Sequence, residues 1–81
     1  MKTHDLPIAE IYVPVDRRKE IDPERVDQRI QDLLDGAEER PIQVRQGNGR
    51  YVLIKGIHRL EARKAVGDQT IQAYIVQARL H

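Results

Sequence analysis

The apolar positions of this chain fall into alternating and helical patterns that change abruptly at a few turn residues. Leu6 and Ile8, then Ile11 and Val13, sit at alternate positions with a slip of phase between the pairs, which predicts a short strand with a turn or bulge near Ala9-Glu10, closed by Pro14. Val15 to Ile21 reads as a charged connector. Asp22-Pro23-Glu24 supplies a capping carboxylate, a proline at the first helical position and an acidic first turn, so a helix starts there. Val26, Ile30, Leu33 and Leu34 share one face of that helix, and Gly36 ends it.

Pro41 to Arg45 alternates again, and Tyr51-Val52-Leu53-Ile54 is a second β-type run. Between them Gln46-Gly47-Asn48-Gly49 has the residues of a tight turn, so a β-hairpin is predicted. The run from Ile57 to Val66 is rich in helix formers, with Ile57, Leu60 or Glu61, and Ala65-Val66 as its inward face and Gly67 as its stop. Thr70 to Val76 alternates as a closing strand. The resulting order, β-α-β-β-α-β, predicts a small α/β (α+β) domain with a mixed sheet and two main helices, spanning residues 1–81 as one unit.

The chain has 81 residues and no cysteine. Its thin core therefore rests on aliphatic packing, without disulfides, thiolate ligands or a redox-active thiol. No apolar run approaches the ~18 residues of a membrane span, and Met1 to Asp5 leads into no signal-peptide core, so a cytoplasmic protein is expected. With Tyr12, Tyr51 and Tyr74 as its only aromatic residues, the chain lacks a base-stacking platform for single strands.

The net charge of +1 hides an asymmetry: residues 1–39 carry six basic and eleven acidic side chains, whereas residues 40–81 carry eight basic and two acidic ones. Gly56-Ile57-His58-Arg59 lies in the basic half, at the junction of strand and helix. A glycine there lets backbone approach a ligand, and the first N–H groups of the helix favour an anion. A glycine also relieves backbone strain at such a junction with no ligand at all. His58 and Arg59 change the balance, because cations in a first helical turn oppose the helix dipole unless an anion compensates. Arg59 can grip phosphate through two parallel hydrogen bonds. Arg18, within the trio Arg17-Arg18-Lys19, is a candidate supporting contact from the connector. Lys55, Arg63 and Lys64 extend the basic surface as a candidate nucleic-acid face.

Catalytic groups are sparse. Glu20 and Asp16 are the candidate acid or base, or Mg²⁺ contacts, if the connector covers a nucleotide. His4, His58 and His81 are too far apart in sequence for a recognisable metal motif, and no structural metal is expected.

Tyr51 to Ala62, with the Pro41-Ile42-Gln43-Val44-Arg45 strand, the Leu6 to Ile11 opening and Arg18, Glu20 and Ile21-Asp22, resembles the N-terminal domain of ParB-type partition proteins. That domain shares its fold with sulfiredoxin and some free-serine kinases. The Gly56 segment is similar to the Gly-Glu-Arg-Arg-x-Arg-Ala segment that binds the triphosphate of CTP in partition proteins. It is also similar to the Gly-Cys-His-Arg segment that holds ATP phosphates in sulfiredoxin. The resemblance implies phosphate contacts at Gly56, Ile57, His58 and Arg59, a supporting Arg18, and CTP, ATP or ADP with Mg²⁺ as ligand. It also implies a bacterial, partition-related or regulatory module, and the small core by itself invites a protein partner or a second copy to bury further apolar surface. Ile57 stands where sulfiredoxin has its catalytic cysteine, which excludes sulfinic acid reduction. Asp16 and Arg17 replace the Gln-Pro of the partition pattern, and Lys55 stands where the kinases usually carry an acid. A nucleotide-hydrolysing or phosphoryl-transfer enzyme is the alternative, and a DNA-binding or nuclease protein is the third reading.

Overall fold

A computed structural model describes residues 2–77. Strand β1 (Thr3–Pro7) runs into a 3₁₀ turn at Ile8–Glu10 and then strand β2 (Ile11–Tyr12). Helices α1 (Val15–Arg18) and α2 (Pro23–Leu34), the strands β3 (Ile42–Gln46) and β4 (Tyr51–Lys55), helix α3 (Ile57–Ala65) and strand β5 (Thr70–Val76) follow. The mixed sheet, the two longer helices, the hairpin and the closing strand agree with the sequence reading. β3 and β4 pair antiparallel, β1 pairs antiparallel with β5, and the β2–β4 and β3–β5 pairs are parallel.

The first third of the chain departs from the sequence expectation in two places. The Leu6 to Val13 segment is two strands rather than one with a bulge, and they occupy opposite edges of a sheet ordered β1-β5-β3-β4-β2. The phase slip at Ala9-Glu10 marks the 3₁₀ turn, which is anchored by the Ile8 N–H donating to the Gln69 carbonyl at 2.9 Å. A flat five-stranded sheet would separate its outer strands by roughly 19 Å. The four Cα steps from Pro7 to Ile11 span at most about 15 Å when extended, and less through a 3₁₀ turn. The sheet must therefore curl until its edges approach each other. The charged connector likewise contains a helical turn, α1, because Pro14 supplies a carbonyl that accepts from the N–H groups of both Arg17 and Arg18.

The concave core gathers Leu6, Ile8, Ile11, Val13, Ile42, Val44, Leu53, Ile57, Leu60, Ile71 and Ala73. Ile42, Val44, Leu53 and Leu60 are sealed from solvent, and each contributes about 1.5–3 kcal/mol by leaving water. Helix α3 enters this core with Ile57 and Leu60, and its Ala62 is buried as well. Ala65 and Val66, expected inside, are exposed, since at 100° per residue they lie roughly 110–150° around the helix from the face that Ile57 and Leu60 bury. Helix α2 packs on α3 as an outer layer. Val26, Ile30 and Leu33 are half-buried there, whereas Leu34 points out with 70% of its surface exposed.

Asp22 caps α2 as its sequence predicts, its Oδ1 accepting from the Glu24 N–H at 3.0 Å. The helix closes with the Gly36 N–H on the Leu33 carbonyl and the Ala37 N–H on the Asp32 carbonyl, a paired bond that satisfies two terminal acceptors. Among the described residues, no helix is long and apolar enough to cross a membrane.

Candidate functional site

Gly56 links β4 to α3 with φ +110° and ψ 31°, a conformation that side-chain-bearing residues rarely adopt. Its environment imposes a second requirement. A Cβ built on Gly56 would lie 2.6 Å from Ile42 Cγ2 and 3.0 Å from Ile42 Cβ, so the turn presses directly onto β3. Helix α3 begins there with no side-chain cap. The Leu60 N–H is the first to find an intrahelical partner, the Gly56 carbonyl at 3.0 Å. The N–H groups of Ile57, His58 and Arg59 precede that bond and form the positive end of the helix. The Ile57 side chain is buried in the core, and the residue also lines the cleft in front of the helix.

His58 faces α2. The backbone N–H of Asp22 donates to His58 Nε2 at 3.1 Å. A ring nitrogen that accepts a bond carries no proton, so His58 is neutral in this arrangement and its donor is Nδ1–H. The same contact draws the N-terminus of α2 to that of α3. Two helix N-termini thereby converge on one cleft, of about 390 Å³, lined by Arg17, Glu20, Arg25, Arg29 and Ile54 through Arg59.

Arg59 is half-buried and donates through Nη1 to the carbonyls of Arg40 and Pro41, the latter at 3.0 Å. Its Nε and Nη2 donors take no part in those bonds. Burial pushes its guanidinium below the usual arginine range; Arg29 and Arg40 push the same way, with Glu39 opposing them. Three guanidiniums therefore crowd one region. The sole acid lining the cleft is Glu20, whose Oε1 pairs with Arg17 Nη1 at 3.1 Å. This is an arrangement able to hold an anion by backbone N–H groups, an imidazole N–H and several cations at once.

Of the residues singled out in the sequence, Gly56, Ile57, His58, Arg59, Lys55 and Glu20 come together at this cleft. Arg18 does not. Its Nε donates to the Val13 carbonyl at 3.2 Å, and it lines a separate cleft of about 600 Å³ beside Tyr12, Arg50 and Lys64. The α1 turn instead sends the neighbouring Arg17 toward Gly56. Asp16 is exposed on α1 and is not among the residues lining that cleft.

Lys55, Arg63 and Lys64 do not form one face. Lys64 pairs with Glu61 at 3.3 Å on the Arg18 side. Arg63 bridges Glu39 at 3.3 Å and Asp68 at 2.9 Å. Burial works against the Arg63 charge, but Asp68 and Glu39 outweigh it and hold its guanidinium above the usual range.

Sequence reasoning passed over Arg25 and Arg29. They lie four residues apart, beside the apolar stripe of α2, so one helical face presents both to the cleft. Among the described residues, no group of three or more histidine, cysteine or acidic side chains is placed to hold a metal ion. His81 lies outside those residues.

A model of the ParB N-terminal domain family matches residues 1–80. No curated protein matches the sequence significantly. Among solved structures, sulfiredoxin from Arabidopsis thaliana superimposes with a TM-score of 0.83 at 27% identity, over 96% of this chain and 88% of that one. The C-terminally truncated partitioning protein ParB from Caulobacter crescentus, complexed with CTP-gamma-S, has a TM-score of 0.80 at 19% identity. That match takes in 98% of this chain and 46% of the partition protein. A mutant free serine kinase in complex with ADP has a TM-score of 0.79 at 13% identity, over 94% of this chain and 31% of the kinase. The last two show a shared fold. The chain spans less than half of either protein.

Proposed function

The chain belongs to the ParB N-terminal domain family, and from that premise we propose that it binds a nucleotide or another phosphate-bearing ligand at the Gly56 to Arg59 junction as a regulatory or partner-switching module. One observation carries this reading. The free N–H groups at the start of α3 open into a cleft lined by Arg17, Arg25, Arg29, Lys55, His58 and Arg59, with a single, already paired acid. In this reading the α3 N–H groups cradle phosphate, His58 donates from Nδ1, and Arg59 adds its remaining donors. The ParB and kinase neighbours captured with CTP-gamma-S and ADP are consistent with such a ligand. Any Mg²⁺ would arrive on the ligand's own phosphates, since the cleft supplies Glu20 alone as a carboxylate.

Titration calorimetry with CTP, ATP and ADP, each with and without Mg²⁺, tests the reading alongside hydrogen exchange of residues 55–60. Binding heat with slowed exchange at Ile57 to Arg59 is expected. No heat and no protection with any of the three would overturn it.

A phosphoryl-transfer or nucleotide-hydrolysing reading is favoured by one observation, the presence of Glu20 in the phosphate cleft. Phosphate release or phosphoserine formation above a blank, lost in Glu20→Gln while nucleotide still binds, would promote that reading over simple binding.

A further inference from the structure

Beyond Arg59 and Lys55 the phosphate cleft continues into a second one of about 350 Å³, lined by Arg40, Pro41, Gln43, Lys55, Arg59 and Tyr74. Lys55 and Arg59 line both clefts. No acid lines the second one. Among the described residues, neither Arg40 nor Lys55 forms an ion pair, in contrast to Arg17, Arg63 and Lys64, which all do. Both of these cations of the second cleft are thus left unneutralised by any carboxylate among the described residues.

The backbone around the second cleft is fixed. Arg59 holds the carbonyls of Arg40 and Pro41, and Pro41 leads into Ile42, the residue against which Gly56 packs. The Gln43 amide and the Tyr74 hydroxyl contribute neutral donors to the same lining. Such a cleft suits a compact anionic group: a fixed wall, charge of one sign, and hydrogen-bond donors at its rim.

We propose that the Arg40–Lys55–Tyr74 cleft is a second anion subsite, continuous with the phosphate site through Arg59. This inference rests on the phosphate reading of the Gly56 junction and extends it: the ligand set carries two anionic groups, one on the α3 N-terminus and one against Arg40. Repulsion of Arg59 by Arg29 and Arg40 in the free protein is consistent with that charge count. The second group is either the terminal phosphate of the same nucleotide or a separate small anion, such as a carboxylate or orthophosphate, bound beside it.

The test uses the full chain and Arg40→Ala, which keeps the carbonyl that Arg59 holds, with the charge-reversed Arg40→Glu as a graded second variant. Circular dichroism verifies the fold of each. Calorimetry compares CMP, CDP and CTP, and the corresponding adenosine series. If the nucleotide tail supplies the second group, Arg40→Ala weakens triphosphate binding about tenfold and leaves monophosphate binding within about twofold, with Arg40→Glu worse.

If a separate anion supplies it, protein saturated with monophosphate takes up orthophosphate or acetate, and Arg40→Ala abolishes that uptake. The subsite is overturned if Arg40→Ala matches wild type in both arms, or if mono- and triphosphate affinities fall equally. Absence of all nucleotide and phosphate binding to the wild type overturns the Gly56 reading as well. Binding that is indifferent to Arg40 removes the second subsite alone.

Discussion

The backbone N–H of Asp22 donates to Nε2 of His58 across 3.1 Å, so the residue that caps α2 also selects the tautomer of an imidazole at the start of α3. His58 thereby offers Nδ1–H as its one donor while staying neutral. In proton-detected nitrogen spectra at neutral pH, His58 should show the Nδ1–H tautomer, the less common form in free histidine. His58→Ala should weaken phosphate binding about tenfold by removing a hydrogen bond to a charged group. His58→Gln, whose amide can accept and donate at once, should lose less. An Nε2–H signal for His58 would contradict the geometry.

Arg59 serves two backbone carbonyls in addition to any ligand. Arg59→Lys cannot span both with one compact ammonium. Its thermal midpoint should fall, with a loss of about 1 kcal/mol after allowance for partial exposure, and its phosphate affinity should fall with it. Equal stability of the lysine variant by urea denaturation would show that the two carbonyl contacts carry no energy.

Arg29 is expected to trade stability for binding. It repels Arg59 across the cleft and has no ion pair among the described residues. Arg29→Gln should leave the free protein as stable or slightly more stable, by up to about 0.5 kcal/mol, while weakening phosphate binding several-fold. At equal ionic strength, phosphate should raise the wild-type midpoint more than chloride does, and the variant should lose most of that difference.

Gly56→Ala meets two obstacles, a left-handed backbone and Ile42 Cγ2 at 2.6 Å. Strain and overlap together should cost about 3 kcal/mol, a large share of the stability available to a domain of this size. Urea titration of the variant measures this. A loss under about 1 kcal/mol would mean that the turn can retreat from β3.

Arg63→Ala separates the surface-charge reading from a structural one. Glu39 is half-buried with its side chain only 7% exposed, and its Oε1 has no protein partner among the described residues. Removing Arg63 takes away the partner of Oε2 too, so stability should drop by about 1–3 kcal/mol while phosphate affinity holds. Lys64→Ala, which breaks an exposed pair with Glu61, should change stability by less than about 0.5 kcal/mol. A duplex-DNA shift weakened by both variants without loss of stability would restore the nucleic-acid face.

Local chemistry made the Asp22 cap, the β3–β4 turn and the Gly56 junction legible, because each is written within four or five consecutive residues. The β1–β2 split was not. A phase slip of one residue looks alike whether the strand bulges or the chain crosses to the far edge, and only pairing partners far along the chain, Tyr74 for Thr3 and Tyr51 for Ile11, decide between them. The choice between Arg17 and Arg18 depended on whether the connector coils, since one helical turn at Val15–Arg18 redirects adjacent side chains into different clefts. Arg25 and Arg29 carry no local signal, because what turns them to the cleft is the approach of the α2 N-terminus to that of α3, a contact between Asp22 and His58 thirty-six residues apart. Arg63 read as a free cation because Glu39 lies twenty-four residues away in sequence.

The placement of β1 and β2 on opposite edges has a kinetic consequence. Thr3 pairs with Tyr74 and Ile11 with Tyr51, so a nascent chain leaves the ribosome with both rims of its sheet made first and neither able to dock. The β3–β4 hairpin can form while synthesis continues, but the barrel-like wall closes only after β5 emerges. Folding should accordingly be slow for so short a chain, its rate set by the closure of that longest loop and not by the helices.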